Sequence, residues 1–150
     1  MQILFVCYGN ICRSPMAEAF MRRAVGNRPA LRGVEVGSMG VRALADHAAT
    51  EHTIDVLRDD HALDLTSHRA QQLEPSVEAD LILTLDRLTT TIVEKLTLPA
   101  EVVMLGDYAG CGEEVKDPYG REREAYCACA EHVAALVELV ADRLEAAAPL

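Results

Sequence analysis

Val6-Cys7-Tyr8-Gly9-Asn10-Ile11-Cys12-Arg13-Ser14-Pro15 lies between two kinds of sequence pattern. Before it, Ile3-Leu4-Phe5-Val6 is a short run without a polar residue, as expected of a strand buried in a parallel sheet. After it come helix-start signals. Ser14 suits an N-cap, Pro15 the first helical position, and Glu18 the first turns. Ala17, Phe20, Met21 and Ala24 then recur at helical spacing, and Gly26 or Asn27 can close the helix. A strand, a glycine-bearing turn and a helix start in that order put the turn at the carboxyl end of the strand, where open α/β sheets form their ligand crevice.

The pattern repeats along the chain. Val34-Glu35-Val36 reads as a second strand, followed by a loop holding Gly37, Ser38 and Gly40. A helix is expected from about Ala48 to Asp60, then an irregular stretch from Asp64 to Leu73. Leu81-Ile82-Leu83 is a third strand. Leu88, Ile92 and Leu96 mark a helix that stops before Pro99, and Val102-Val103-Met104-Leu105 a fourth strand. Gly106, Gly110, Gly112, Pro118 and Gly120 make residues 106–120 a long loop, a feature often functional or mobile. Val133, Leu136, Val137, Val140 and Leu144 mark a C-terminal amphipathic helix. Strand–helix alternation of this kind implies an α/β protein with a parallel sheet and helices on both faces.

The 150 residues, half of them hydrophobic, suit one domain over 1–150 with a real core. The formal charge of −10 disfavours nucleic acid and anionic membrane surfaces as partners, because both need a broad basic face. The charge is uneven: +3 over residues 1–50, −6 over 51–100 and −7 over 101–150. The acidic remainder would repel strongly acidic substrate proteins. Five cysteines are an odd number for a disulfide scaffold. The N-terminal run lacks a basic n-region and a long apolar stretch, so a cytoplasmic protein with reduced thiols is expected.

The chemistry of the first turn follows from its residue types. Backbone N–H groups and the positive end of a helix bind anions. Gly9 gives the turn its flexibility, and Arg13 offers a planar fork that matches phosphate oxygens. Cys7 sits beneath that anion, where positive surroundings favour a thiolate, the nucleophilic form. Ser14 can donate a hydrogen bond to the sulfur. A thiolate attack on a phosphate ester also needs a proton for the leaving group. Asp117, in Asp117-Pro118-Tyr119-Gly120, is the candidate general acid, with Pro118 stiffening its position and Tyr119 offering a ring to a substrate.

Cys7-Tyr8-Gly9-Asn10-Ile11-Cys12-Arg13-Ser14-Pro15-Met16-Ala17-Glu18, together with the late Asp117-Pro118-Tyr119-Gly120, resembles the low-molecular-weight protein tyrosine phosphatase family. Ser38, Ser67-His68-Arg69-Ala70, Asp80-Leu81-Ile82-Leu83 and Leu85-Asp86 also look like family landmarks, so the likeness spans nearly the whole chain. It implies a four-stranded parallel sheet with the phosphate loop after strand 1. It implies Cys7 as nucleophile, Arg13 as phosphate clamp, Asp117 as general acid and then base, and Ser14 as stabiliser of the thiolate. The phosphate loop would comprise Tyr8, Gly9, Asn10, Ile11, Cys12 and Ser14. Asn10, Ser38 and His68 would hold it in shape, and Tyr119 would line the mouth. Cys12 matches a loop cysteine that in the family can pair reversibly with the nucleophile. No metal or cofactor is implied, and the partner is a phosphorylated protein. Tyr8 departs from the smaller or aliphatic residue more usual there, and Met39 from the usual alanine.

The substrate reads first as phosphotyrosine. A protein arginine phosphatase is the alternative, and Ile11 discriminates, because phosphoarginine-selective members of the family look to have Thr there. An arsenate reductase on the same fold would need a relay of cysteines, with Cys111 one option. A non-enzymatic phosphate-binding module would not need Cys7 or Asp117. Cys127-Ala128-Cys129 lacks the two-residue spacing of a zinc knuckle, so Cys111, Cys127 and Cys129 read as structural or incidental. His47, His52 and His61 read as solvated, and Asp86 as stabilising a loop or helix start.

Overall fold

Strand β1 (Gln2–Cys7) forms the middle of the structure because both of its faces are apolar. Ile3, Phe5 and Cys7 point into one cluster, while Leu4 and Val6 point into the other. That alternation is the two-residue period of a strand. In the computed structural model, which describes residues 1–149, β1 is flanked by β2 (Glu35–Gly40) and β3 (Leu81–Thr84), and β4 (Glu101–Met104) lies beyond β3. All three pairings are parallel, with Cys7 opposite Gly40 and Val6 opposite Thr84. The strand order β2-β1-β3-β4 reverses direction at β1, so the crevice opens at the carboxyl end of that strand.

Helices cover both faces, as the alternation predicts. On the face of Ile3 and Phe5, α1 (Arg13–Asn27) contributes Met16, Ala17 and Phe20, α2 (Glu51–His61) Val56 and Leu57, and α5 (Arg123–Ala147) Val133, Leu136 and Val140. On the other face, α3 (Arg87–Glu94) places Val93 against Leu4 and Ile82. Phe5 is fully enclosed. Removing such a ring costs about 3–5 kcal/mol. Arg28, just past α1, bonds Glu138 at 2.7 Å and Asp142 at 2.7 Å, tying α1 to the outer side of α5.

Several boundaries differ from the sequence reading. Ser14 does not cap α1. The helix begins at Arg13 with Cys12 at the N-cap, and no side chain caps it, because the Ser14 hydroxyl turns inward to the Cys7 sulfur. β2 runs on through Gly37, Ser38 and Gly40, which read as a loop; pairing with β1 carries the strand past its apolar start. α2 starts three residues later than expected, at Glu51. Residues 105–109 form a short helix, α4 (Leu105–Ala109), inside the stretch expected to be loop, and Gly110 ends it in a left-handed conformation. His52 and His61 are half-buried rather than freely solvated. The His52 ring lies 5.0 Å from that of Tyr126, and the His61 ring 4.9 Å from that of Phe20. His47 is exposed.

The end of β2 presses directly on the turn after β1. A Cβ on Gly40 would come within 2.8 Å of the Tyr8 carbonyl oxygen and 3.0 Å of the Asn10 nitrogen. A Cβ on Gly37 would instead meet Leu4 Cδ2 at 3.0 Å, the end of a side chain that can turn. Gly40→Ala is therefore expected to cost about 1–3 kcal/mol of stability, the range for overpacking. Gly37→Ala should cost less. Urea unfolding of both variants checks this, and equal costs would contradict the packing account.

Candidate active site

The turn that follows β1 wraps around the Cys7 sulfur. Ser14 Oγ lies 2.9 Å from Cys7 Sγ, and the Asn10 backbone N–H donates to the same sulfur at 3.3 Å. Asn10 takes a left-handed backbone with φ of 58°, a conformation that Asn tolerates better than most side chains. Its polar atoms are all engaged. Asn10 Nδ2 donates to Ser14 Oγ at 2.8 Å and to Ser38 Oγ at 3.0 Å. Its Oδ1 accepts from the Gln71 N–H at 2.9 Å. His68 Nε2 donates to the Asn10 carbonyl at 2.8 Å, since a carbonyl can only accept. The Ser38 hydroxyl donates to Glu18 Oε1 at 2.6 Å. Asn10 thus fills one lone pair of the Ser14 oxygen and leaves the Ser14 hydroxyl hydrogen free to point at the sulfur.

Arg13 is the first residue of α1 and is only 3% exposed. Its Nη1 donates to Asp86 Oδ2 at 2.6 Å and to the Val115 carbonyl at 2.8 Å. Its Nη2 faces Asp117 Oδ2 at 3.7 Å. Burial works against the Arg13 charge, yet Cys7, Asp86 and Asp117 raise its pKa above the ordinary arginine value. Burial also works against the Asp86 carboxylate, but hydrogen bonds from Arg13 and Thr89 outweigh it and hold its pKa below the usual range. Asp86 sits just past the carboxyl end of β3 and caps α3 by accepting the Thr89 N–H at 2.8 Å. The helix-start reading of Asp86 therefore stands, and the residue also anchors Arg13. Its place after a parallel strand was the available signal for that second role.

Asp117 is half exposed in the loop between α4 and α5. Its Oδ1 accepts the Tyr119 N–H at 3.1 Å, and Pro118 beneath it is buried. Cys7, Tyr8, Gly9, Ile11, Cys12, Arg13, Asp117 and Tyr119 line one cavity of about 380 Å³, to which Arg42 and Leu44 also contribute. Sequence reasoning did not single out Arg42 or Leu44. Tyr8 and Tyr119 are 45% and 61% exposed, one from each loop at the mouth. Asn10, Ser14, Ser38 and His68 stand behind the turn rather than on the cavity wall.

Of the other thiols, Cys12 shares the cavity lining, while Cys111, Cys127 and Cys129 lie outside it. Cys12 Sγ lies 3.4 Å from Thr50 Oγ1, and burial raises its pKa. Burial pushes the Cys129 thiol up to about 12. Cys127 contacts Asp60 Oδ2 at 3.6 Å, and Cys111 is exposed near the Gly106 carbonyl. Among the described residues, no three His, Cys, Asp or Glu side chains converge in a metal-holding group.

A cavity lined by a cysteine, a buried arginine and a carboxylate suits phosphate-ester chemistry. The model of the family described as low molecular weight phosphotyrosine protein phosphatase matches residues 2–149. A probable low molecular weight protein-tyrosine-phosphatase, EpsP of Ralstonia nicotianae, is 38% identical over 130 residues, covering 83% of this chain and 82% of the relative. The crystal structure of a low molecular weight protein tyrosine phosphatase from T. tengcongensis superposes with a TM-score of 0.88 at 30% identity, over 95% of this chain and 99% of that one. The YwlE arginine phosphatase from Geobacillus stearothermophilus superposes with a TM-score of 0.84 at 28% identity, over 97% of this chain and 94% of that one. The chain belongs to the low molecular weight phosphotyrosine protein phosphatase family, and it is a hydrolase of that class.

Asp86→Asn keeps a capping oxygen but removes the charge that Arg13 bonds. The loss of one charge-assisted hydrogen bond should cost about 1.5–3 kcal/mol at neutral pH. The folded pKa of Asp86 lies below its unfolded value of about 3.9, so this stability is fully present above that pH and fades as acid protonates the folded carboxylate. Urea unfolding of wild type and variant should show a constant gap from pH 7 to 5 that narrows below about pH 4. A gap that widens on acidification would contradict the assignment.

Proposed function

We propose that the chain hydrolyses phosphotyrosine in proteins through a phosphocysteine intermediate, with residues 1–150 acting as one domain. The observation that carries this is the Cys7 sulfur, which receives hydrogen bonds from the turn and lies in the same cavity as Arg13 and Asp117. The phosphate oxygens sit on the turn N–H groups and on Arg13, which Asp86 and the Val115 carbonyl hold in place. Cys7 attacks phosphorus as a thiolate. The P–S bond forms as the P–O bond to the tyrosine breaks, and protonated Asp117 gives its proton to the leaving phenolate oxygen. Asp117, now a carboxylate, takes a proton from water. The resulting hydroxide attacks phosphorus and breaks the P–S bond, so phosphate leaves and the Cys7 thiolate returns. Ser14 steadies that thiolate in both halves of the reaction. The turn and Arg13 are fixed before the substrate arrives, so little reorganisation opposes charge development on phosphorus.

Tyr8, Ile11 and Tyr119 supply apolar walls for an aryl group. Arginine phosphorylation is the second reading, favoured by the likeness to the YwlE arginine phosphatase. Ile11 counts against it, because its methyl groups offer a guanidinium no acceptor. Cys12 pairs reversibly with Cys7 under oxidation in this account, which makes the enzyme redox-sensitive. A cytoplasmic location fits reduced thiols; among the described residues no helix is long and apolar enough to cross a membrane.

Two measurements check the assignments. With para-nitrophenyl phosphate, Cys7→Ser should abolish turnover while phosphate still binds, and Asp117→Asn should slow turnover by roughly 10²–10⁴-fold. Retained turnover in Cys7→Ser sinks the mechanism. Ile11→Thr should shift the ratio of kcat/KM values from phosphotyrosine peptides towards phosphoarginine peptides. An unchanged ratio removes Ile11 as the discriminator.

A further inference from the structure

The cavity above Cys7 is lined by three charged side chains, and two of them have duties within the protein. Arg13 is held by Asp86 and Val115, and Asp117 faces Arg13. Arg42 is the third. It is exposed, and no carboxylate among the described residues lies in ion-pair range of its guanidinium, although Arg22, Arg28, Arg58, Arg87 and Arg123 all have acidic partners. Arg23, Arg32, Arg69, Arg121 and Arg143 also lack a carboxylate partner among the described residues, and what sets Arg42 apart from them is that it lines the Cys7 cavity. Its backbone is fixed to the phosphate turn, since the Arg42 N–H donates to the Tyr8 carbonyl at 2.8 Å and the neighbouring Val41 N–H to the Cys7 carbonyl at 3.1 Å. Gly40, two residues earlier, packs against the same turn. The cation is therefore carried on a rigid part of the rim.

The same rim holds apolar surface that folding leaves uncovered. Tyr8, Leu44 and Tyr119 are 45%, 48% and 61% exposed, and all three line this cavity. Arg42 and Leu44 line the same cavity as Cys7, which leaves the Tyr8, Leu44 and Arg42 side of its mouth open to a substrate backbone. On that side, the residue next to a phosphorylated one would lie by the Arg42 guanidinium.

We propose that Arg42 forms a carboxylate subsite, so the chain prefers phosphotyrosine in segments with Asp or Glu directly beside it. This rests on the phosphotyrosine reading of the Cys7 cavity. Arg42 is a specificity residue that binds the flanking carboxylate and takes no part in the bond changes. The acidic bulk of the protein does not oppose such a peptide at close range. Exposed charges more than about 8 Å apart are largely screened at physiological ionic strength. Arg42 meets the flanking carboxylate within that distance.

The test uses phosphotyrosine hexapeptides that differ only in the residue before or after phosphotyrosine, which is Asp, Asn or Lys. Phosphate release is measured for wild type, Arg42→Ala, Arg42→Lys and Arg42→Glu. Wild type should favour Asp over Asn by about two- to fivefold in kcat/KM at one or both positions, the range for an exposed ion pair. The preference should lie in KM rather than kcat and shrink at high salt. Arg42→Lys should keep part of it, Arg42→Ala should bring the ratio to about one, and Arg42→Glu should invert it towards the Lys peptide. The ratio is taken within each variant, so a change in overall activity does not disturb it. A wild-type ratio of one at both positions, or an Asp preference that survives in Arg42→Ala and Arg42→Glu, overturns the subsite alone. Failure of wild type to release phosphate from any peptide or from para-nitrophenyl phosphate overturns the phosphotyrosine reading and the subsite with it.

Discussion

The phosphate turn keeps its shape because Asn10 is fully hydrogen-bonded in a left-handed conformation. Its amide joins Ser14, Ser38 and Gln71, its carbonyl accepts from His68, and its N–H reaches Cys7. These partners come from the end of β1, the start of α1, strand β2 and the segment before β3. Asn10 is fully buried, so each unmade bond would carry a desolvation cost of about 1–3 kcal/mol. Satisfying all of them at once leaves the turn essentially one arrangement. In that arrangement the Ser14 hydroxyl and the Asn10 N–H both point at the sulfur. The sheet supplies the other half of the constraint, because β2 and β3 bracket β1 in parallel register and fix where Cys7 emerges.

How much of this could be read from the sequence depends on how local each feature is. β1 and the Cys7–Pro15 turn were legible because an apolar run, a glycine and helix-start residues lie within fifteen positions. The parallel sheet with helices on both faces was legible from alternating periods. Ser14 was misread as a cap because capping rules see only the adjacent backbone, while the hydroxyl serves a sulfur and an amide that the turn brings back to it. The later part of β2 was misread because Gly37, Ser38 and Gly40 have weak strand propensity, and only pairing with β1 makes them extend. The bond from Asp86 to Arg13 spans 73 positions, and its one signal in the sequence was the place of Asp86 just after a parallel strand. Arg42 and Leu44 reach the cavity because β2 continues further than its apolar residues indicate.

The net charge of −10 has little bearing on the site itself. One phosphate group needs a ring of N–H donors and a single guanidinium, and a handful of residues after β1 provide both. Asp86 neutralises part of the Arg13 charge and fixes its direction, which matters more for recognising a tetrahedral anion than total charge does. Asp117 is carried on a separate loop and meets this frame from the other side, held by its own bond to the Tyr119 N–H and by the buried Pro118. Cys7 and Arg13, proposed as nucleophile and clamp, thus flank one turn, while Asp117, the proposed proton donor, sits on a solvent-exposed loop.

The central claim is that Cys7 carries the phosphoryl group during turnover. Acid quenching of the wild-type protein within milliseconds of mixing with para-nitrophenyl phosphate, followed by peptide mapping under acidic conditions, tests it directly. The account predicts a phosphate adduct on the peptide that contains Cys7, formed together with a burst of nitrophenol. Steady turnover with that peptide unmodified at every quench time, or with the adduct on another residue, would contradict it.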